Sequence, residues 1–231
     1  MTRFKSNSVA VICLGVFLAA CSDEEPAVDE LAESKPAAFA ASDWPAYGGQ
    51  NDGNRYSTLE QINRDNVAEL TPAWQFDMDN PGAPQTQPIV VDGVMYGFTP
   101  TLEVIALNGA SGELDLRTGL PGDTSRFYIS LASPGVIFHD SIIVGSRTGE
   151  NPPAAPGDIR AFDVRTGELL WSFHTIPAAG ELGADTWPEN ARELQGGANA
   201  WAGFALDEKR GIVYAPTGSA VPDFFGGDRE G

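Results

Sequence analysis

Beyond residue 42 the chain alternates short apolar runs with clusters of Gly, Asp, Asn and Pro. Ile89-Val90-Val91-Asp92-Gly93-Val94-Met95-Tyr96 predicts a strand, an Asp-Gly turn and a returning strand. Val136 to Phe138 and Ile142 to Val144, joined through His139-Asp140-Ser141, repeat that pattern. Phe204-Ala205-Leu206 and Ile212-Val213-Tyr214, joined through Arg210-Gly211, are a looser copy. No stretch of useful length carries a helical period, apart from a turn or two around Leu59 to Leu70. An all-β chain is expected.

A second element recurs beside the hairpins. Residues Ala161 to Trp171 have the form A-x-D-x-x-T-G-x-x-x-W. Ala106-Leu107-Asn108 with Ser111-Gly112 is an earlier copy that carries Leu116 in the tryptophan's place. Ala205-Leu206-Asp207 opens a third. The alanines recur at roughly the length of a four-stranded propeller blade, about 40 to 50 residues. Each residue type suits a structural role. The small Ala allows close sheet packing, and Asp or Asn bonds its own turn. Gly supplies a positive φ, and Trp spreads an apolar face between blades. Asp163 and Trp171 are therefore read as structural, and the fold class as a partial β-propeller.

The first 20 residues have another character. Arg3 and Lys5 precede an apolar run from Val9 to Ala20, which is too short to span a bilayer and reads as a secretory signal. Leu18-Ala19-Ala20-Cys21 resembles the lipobox of bacterial lipoproteins. This implies cleavage before Cys21, its acylation, and a periplasm-facing location on a membrane, with Ser22 favouring the outer one. Cys13 and Cys21 are the only cysteines, so the mature domain holds no disulfide and no Cys-ligated metal. Residues 21–42 are rich in Asp, Glu, Ala and Pro and read as a flexible acidic tether. The chain has 32 acidic against 14 basic residues among 231, a formal charge of −18. Such a surface repels phosphate backbones and excludes nucleic-acid binding.

Three ordered blocks across residues 43 to 229 resemble one family. The docking element resembles that of the pyrroloquinoline quinone (PQQ) dehydrogenases, which are eight-bladed propellers. Asp43-Trp44-Pro45-Ala46-Tyr47-Gly48-Gly49, continuing through Arg55-Tyr56-Ser57 to Ala73-Trp74, is similar to the family's N-terminal segment. Gly196-Gly197-Ala198-Asn199-Ala200-Trp201 with Thr217-Gly218-Ser219 and Pro222-Asp223 resembles its glucose-dehydrogenase-like branch. Eight blades need more than twice this length. Residues 43–231 are accordingly expected to form the N-terminal part of such a propeller, about four blades, within a longer enzyme.

The resemblance implies PQQ lying flat on a tryptophan near the propeller axis. Ca²⁺ would polarise its reactive carbonyl, and an aspartate would remove the alcohol proton. Trp201 stands at the stacking position; its competing reading is an inter-blade tryptophan. Glu150 stands where relatives carry a Ca²⁺-ligating glutamate that also borders the cofactor, with Asn151 the alternative if the loop is shifted by one. Ser219 occupies the place of an Asn ligand and is the second metal candidate, although a hydroxyl is a weaker Ca²⁺ ligand than an amide carbonyl. Pro134 replaces a cofactor-binding Arg of many relatives, and the adjacent-cysteine pair of the methanol enzymes is absent. No catalytic residue is named, since the proton-abstracting aspartate is expected beyond residue 231. His139 and His174 lack metal-ligand spacing, and Asp185-Thr186-Trp187 is a candidate for the wall above the cofactor.

These readings point to a PQQ- and Ca²⁺-dependent dehydrogenase of sugars or alcohols, passing electrons to a quinone or a cytochrome. The fragment alone is expected to be inactive. The alternative is a non-catalytic propeller lipoprotein of the outer-membrane-assembly type, which shares the lipobox and the repeats. The Asp43-Trp44 block and the platform at Trp201 favour the enzyme.

Overall fold

The structure, a computed structural model, describes residues 42–50, 52–79, 85–119 and 126–227. The signal segment 1–20, the tether as far as residue 41, and both cysteines lie outside the described residues. No helix among the described residues is long and apolar enough to cross a membrane.

The first sheet holds β1 (Ile89–Val91), β2 (Val94–Phe98), β3 (Glu103–Asn108) and β4 (Leu114–Gly119), antiparallel and in chain order. Asp92 and Gly93, with φ of 51° and 78°, make the tight turn that the Asp-Gly pair predicts. A two-residue ribbon follows, β5 (Ile129–Ser130) against β8 (Arg147–Thr148). The second sheet contains β6 (Val136–Phe138), β7 (Ser141–Val144), β9 (Ile159–Asp163) and β10 (Leu169–Phe173), in the same meander order. The short helix α1 (Ala191–Leu194) and the hairpin β11 (Ala205–Asp207) with β12 (Ile212–Tyr214) complete the described chain. The helical turn expected near Leu59 to Leu70 is one 3₁₀ turn, Val67–Glu69.

The sheets stack face to face, as blades do. Tyr96, Phe98, Val104 and Ala106 of the first sheet meet Ile137, Ile142, Val144 and Phe162 of the second. On the opposite face, Val136, Ile143, Ile159 and Ala161 pack with Ala200, Phe204 and Val213 beside the β11–β12 hairpin. Burial on both faces explains why β7 reads Ile-Ile-Val rather than alternating with polar residues. Among the described residues there are two four-stranded sheets, the β5–β8 ribbon and the β11–β12 hairpin, joined by long connections and preceded by the N-terminal segment, as in a partial propeller. That segment bridges the first sheet through Trp44, whose N–H and carbonyl pair with those of Val90 at 2.8 and 2.9 Å. The buried Asp43 accepts from the Asp92 N–H at 3.1 Å.

The repeated element performs the expected turn chemistry. Asn108 Oδ1 accepts from the N–H groups of Ala110 and Ser111 at 3.0 Å each. Asp163 Oδ1 accepts from those of Arg165 and Thr166 at 2.8 Å each. Each turn is covered by the preceding element. Trp74 lies over Gly112, where a Cβ would fall 2.4 Å from its ring, and its Nε1 donates to the Gly109 carbonyl at 3.1 Å. Over Gly167 lie Thr118, whose Cβ would be 2.8 Å from a Cβ there, and Leu116 at 3.4 Å, and the Thr118 hydroxyl donates to the Gly167 carbonyl at 3.0 Å. Threonine thus makes the bond that a leucine cannot. The tryptophan that docks in the described chain is Trp74, whereas Trp171 is 40% exposed on a strand with no covering element among the described residues.

Candidate functional site

Three loops meet at one end of the stacked sheets. Residues 145–158 leave β7 for β9, residues 195–204 lead into β11, and residues 215–223 follow β12. Their backbones are tied together around Gly196 and Gly197. The Gly197 N–H donates to Ala155 at 2.9 Å, its carbonyl accepts from Gly157 at 2.8 Å, and the Ala198 N–H donates to Ser219 at 2.8 Å. A Cβ at Gly196 would fall 1.9 Å from the Ala154 carbonyl oxygen, and the residue has a φ of 68°. Only glycine allows the two loops this close.

Asn199 is a buried strut. Its Nδ2 donates to the Ser146 carbonyl at 2.9 Å, and its Oδ1 accepts from the Thr148 hydroxyl at 3.1 Å. Below it, Ile176, Ala191, Ala198 and Ala220 form a small core against Trp187. Asp158, only 4% exposed, anchors the far end of the first loop. It accepts from both Nη atoms of Arg192, at 3.0 and 2.6 Å, and from Arg160 at 3.2 Å. Burial lowers the Arg160 pKa, partly offset by Asp158 and deepened by Arg192.

These ties shape a cleft of about 460 Å³, a volume within the range of small-ligand sites. Glu150, Trp201 and Ser219 line it together, as do Arg147, Asn199 and Asp223. The indole of Trp201 is 53% exposed, and a Cβ at Gly218 would stand 3.4 Å from its Nε1. Glu150 and Asp223 are linked by an Asp223 N–H to Glu150 carbonyl contact of 3.3 Å. Asn151 is exposed and does not line the cleft. Pro134 is buried, and Ala132 lines the cleft in its stead.

Other sequence candidates lie elsewhere. Trp187 sits in the small core, and Asp185 and Trp187 do not line the cleft. His139 occupies a hairpin turn with φ 51° against Phe138, and His174 Nδ1 lies 2.8 Å from Glu181 Oε1. Two lining residues, Arg147 and Asp223, are not site candidates on the sequence alone. Arg147 lies in a two-residue strand that no periodicity marks, whereas Asp223 is visible as part of the Pro222-Asp223 block. The donor set of the cleft is a planar aromatic, one guanidinium, two carboxylates and hydroxyls. It suits a flat anionic ligand beside a hard cation. Among the described residues no group of three or more His, Cys, Asp or Glu could by itself hold a metal.

The family model described as the PQQ glucose/ethanol/alcohol dehydrogenase β-propeller domain matches residues 44–114 and 109–231. Quinoprotein glucose dehydrogenase of Escherichia coli K12 is 28% identical, over 82% of this chain and 34% of that protein. The dehydrogenase subunit of a quinone-dependent alcohol dehydrogenase from Gluconobacter oxydans is 34% identical, over 61% of this chain and 18% of that protein. The crystal structure of quinohemoprotein alcohol dehydrogenase from Comamonas testosteroni superposes with a TM-score of 0.51 at 22% identity, covering 80% of this chain and 37% of that one. The chain thus spans about a third of the length of the quinoprotein glucose dehydrogenases that it matches.

Proposed function

We propose that this chain, which belongs to the PQQ glucose/ethanol/alcohol dehydrogenase β-propeller family, supplies cofactor-binding structure to a dehydrogenase of sugars or alcohols. The observation that carries the reading is the convergence of Trp201, Glu150 and Ser219 on one cleft from three separate loops. When bound, PQQ accepts two electrons and two protons as an alcohol becomes a carbonyl compound.

The chain's own residues prepare that chemistry. Trp201 offers an exposed aromatic face for a planar ring, held by the buried run that precedes it. Glu150 would hold a Ca²⁺ ion through its carboxylate, with Ser219 and Asp223 of the same cleft as further oxygen donors. These oxygens would fill part of the roughly six to eight positions that Ca²⁺ takes. Asn199 holds the Ser146–Thr148 and Trp201 segments in fixed relation through its two side-chain bonds. The proposal extends to a quinone or cytochrome as electron acceptor, and to a lipid anchor at Cys21 facing the periplasm. The lipobox-like end of the leader supports the latter.

The test is reconstitution of the full-length protein with PQQ and Ca²⁺, followed by dye reduction across a panel of sugars and simple alcohols. Turnover that needs both PQQ and Ca²⁺, and that falls by about tenfold or more in Trp201→Ala, supports the reading. Absence of PQQ binding and of turnover across the panel overturns it in favour of a non-catalytic scaffold.

A further inference from the structure

Arg147 is the cation of the cleft. It stands half-buried on β8, with Nη1 3.4 Å from Oε1 of Gln85 and its guanidinium carbon 5.9 Å from the centre of the Tyr128 ring. Arg117, Arg160, Arg165, Arg192 and Arg210 each have a carboxylate oxygen within 4 Å. Arg147 pairs with no carboxylate among the described residues. Glu150 and Asp223 line the same cleft. Gln85 meets the guanidinium through a neutral amide oxygen, and Tyr128 lies near the edge of cation–π range. Neither neutralises the charge.

A guanidinium presents a planar fork of N–H donors matched to a carboxylate, and unpaired in a partly desolvated cleft it keeps that fork for an incoming group. We propose that Arg147 binds a carboxylate of the anionic quinone placed on Trp201. It would thereby supply from β8 the positive charge that the approach to β6, with Pro134 and small Ala132, does not. This rests on the cofactor reading of the cleft and specifies which protein group answers the cofactor's charge. Trp201 follows Asn199, which bonds Ser146 and Thr148 on either side of Arg147, so ring and carboxylate would be held by two tied segments of one cleft.

The experiment is equilibrium dialysis of the full-length protein, with Ca²⁺ present, against PQQ and against its uncharged trimethyl ester. Wild type, Arg147→Met and Arg147→Lys are compared. A charge-assisted bond of roughly the usual strength predicts PQQ binding weakened about ten- to hundredfold in Arg147→Met, with partial recovery in Arg147→Lys. The ester's affinity should be the same in all three, which a folding defect would not leave intact. Equal PQQ affinity in wild type and Arg147→Met overturns the proposal, as does a parallel loss of PQQ and ester. Retained PQQ affinity with selective loss of oxidation of an acidic sugar would reassign Arg147 to the substrate and also overturn it. Failure of the wild type to bind either compound would sink the cofactor reading itself.

Discussion

Asn108 and Asp163 make the same bonds at equivalent turns, yet only one of them titrates. The Thr166 N–H, then that of Arg165, holds the Asp163 carboxyl below its usual range. Because the folded pKa is lowered, the contribution is complete above the ordinary aspartate value of about 3.9. It is lost as pH falls through the lower folded value. Asp163→Asn should preserve the turn, as Asn108 does, and remove this source of acid sensitivity. In urea melts of the full-length protein, the gap between wild type and Asp163→Asn should change only below about pH 4. A gap that shifts between about pH 6 and 8 would contradict this, since no aspartate held low titrates there. At this scale the sequence is legible wherever a residue serves its own turn: Asp92-Gly93, Asn108 and Asp163 behave as their types dictate. Arg147 is not legible, because its importance comes from neighbours such as Gln85 and Trp201 that are 62 and 54 positions away.

The elements are held by a few non-repeating bonds between loops and sheets. Thr118→Val removes the donor to the Gly167 carbonyl and should lower stability by about 1 kcal/mol, measured by urea denaturation. Thr118→Ser should keep most of it. Asp158→Ala leaves Arg160 and Arg192 without their shared buried carboxylate and should cost about 3 kcal/mol or more. Gly196→Ala should act differently. Its Cβ would meet the Ala154 carbonyl at 1.9 Å, so the loops must part. PQQ binding should fall while the β signal in circular dichroism persists; unchanged binding would show that the cleft does not depend on this approach. Hairpins and turns are readable because strand period and turn residues are local. The tie between Asp158 and Arg192 is not, since nothing in either segment announces a partner 34 residues away. Trp74 belongs to the N-terminal block by sequence, and its docking on Gly112 is visible only in three dimensions.

Across the whole described molecule, the longest exposed apolar strand is β10. Leu169, Leu170, Trp171 and Phe173 are all exposed on β10, and that strand pairs only with β9. A row of this kind invites association through its face or its unpaired edge. The 231-residue chain produced alone should therefore self-associate in light scattering, and Leu170→Lys with Phe173→Lys should reduce this. A monodisperse wild-type chain would contradict the expectation.

Whether Trp201 is the shelf for a quinone is decided by a crystal structure of the full-length protein with PQQ and Ca²⁺. The quinone ring should lie parallel to the Trp201 indole, within van der Waals contact, with Glu150 on the metal. A quinone bound elsewhere, or a Trp201 covered by another segment of the protein, would refute the assignment.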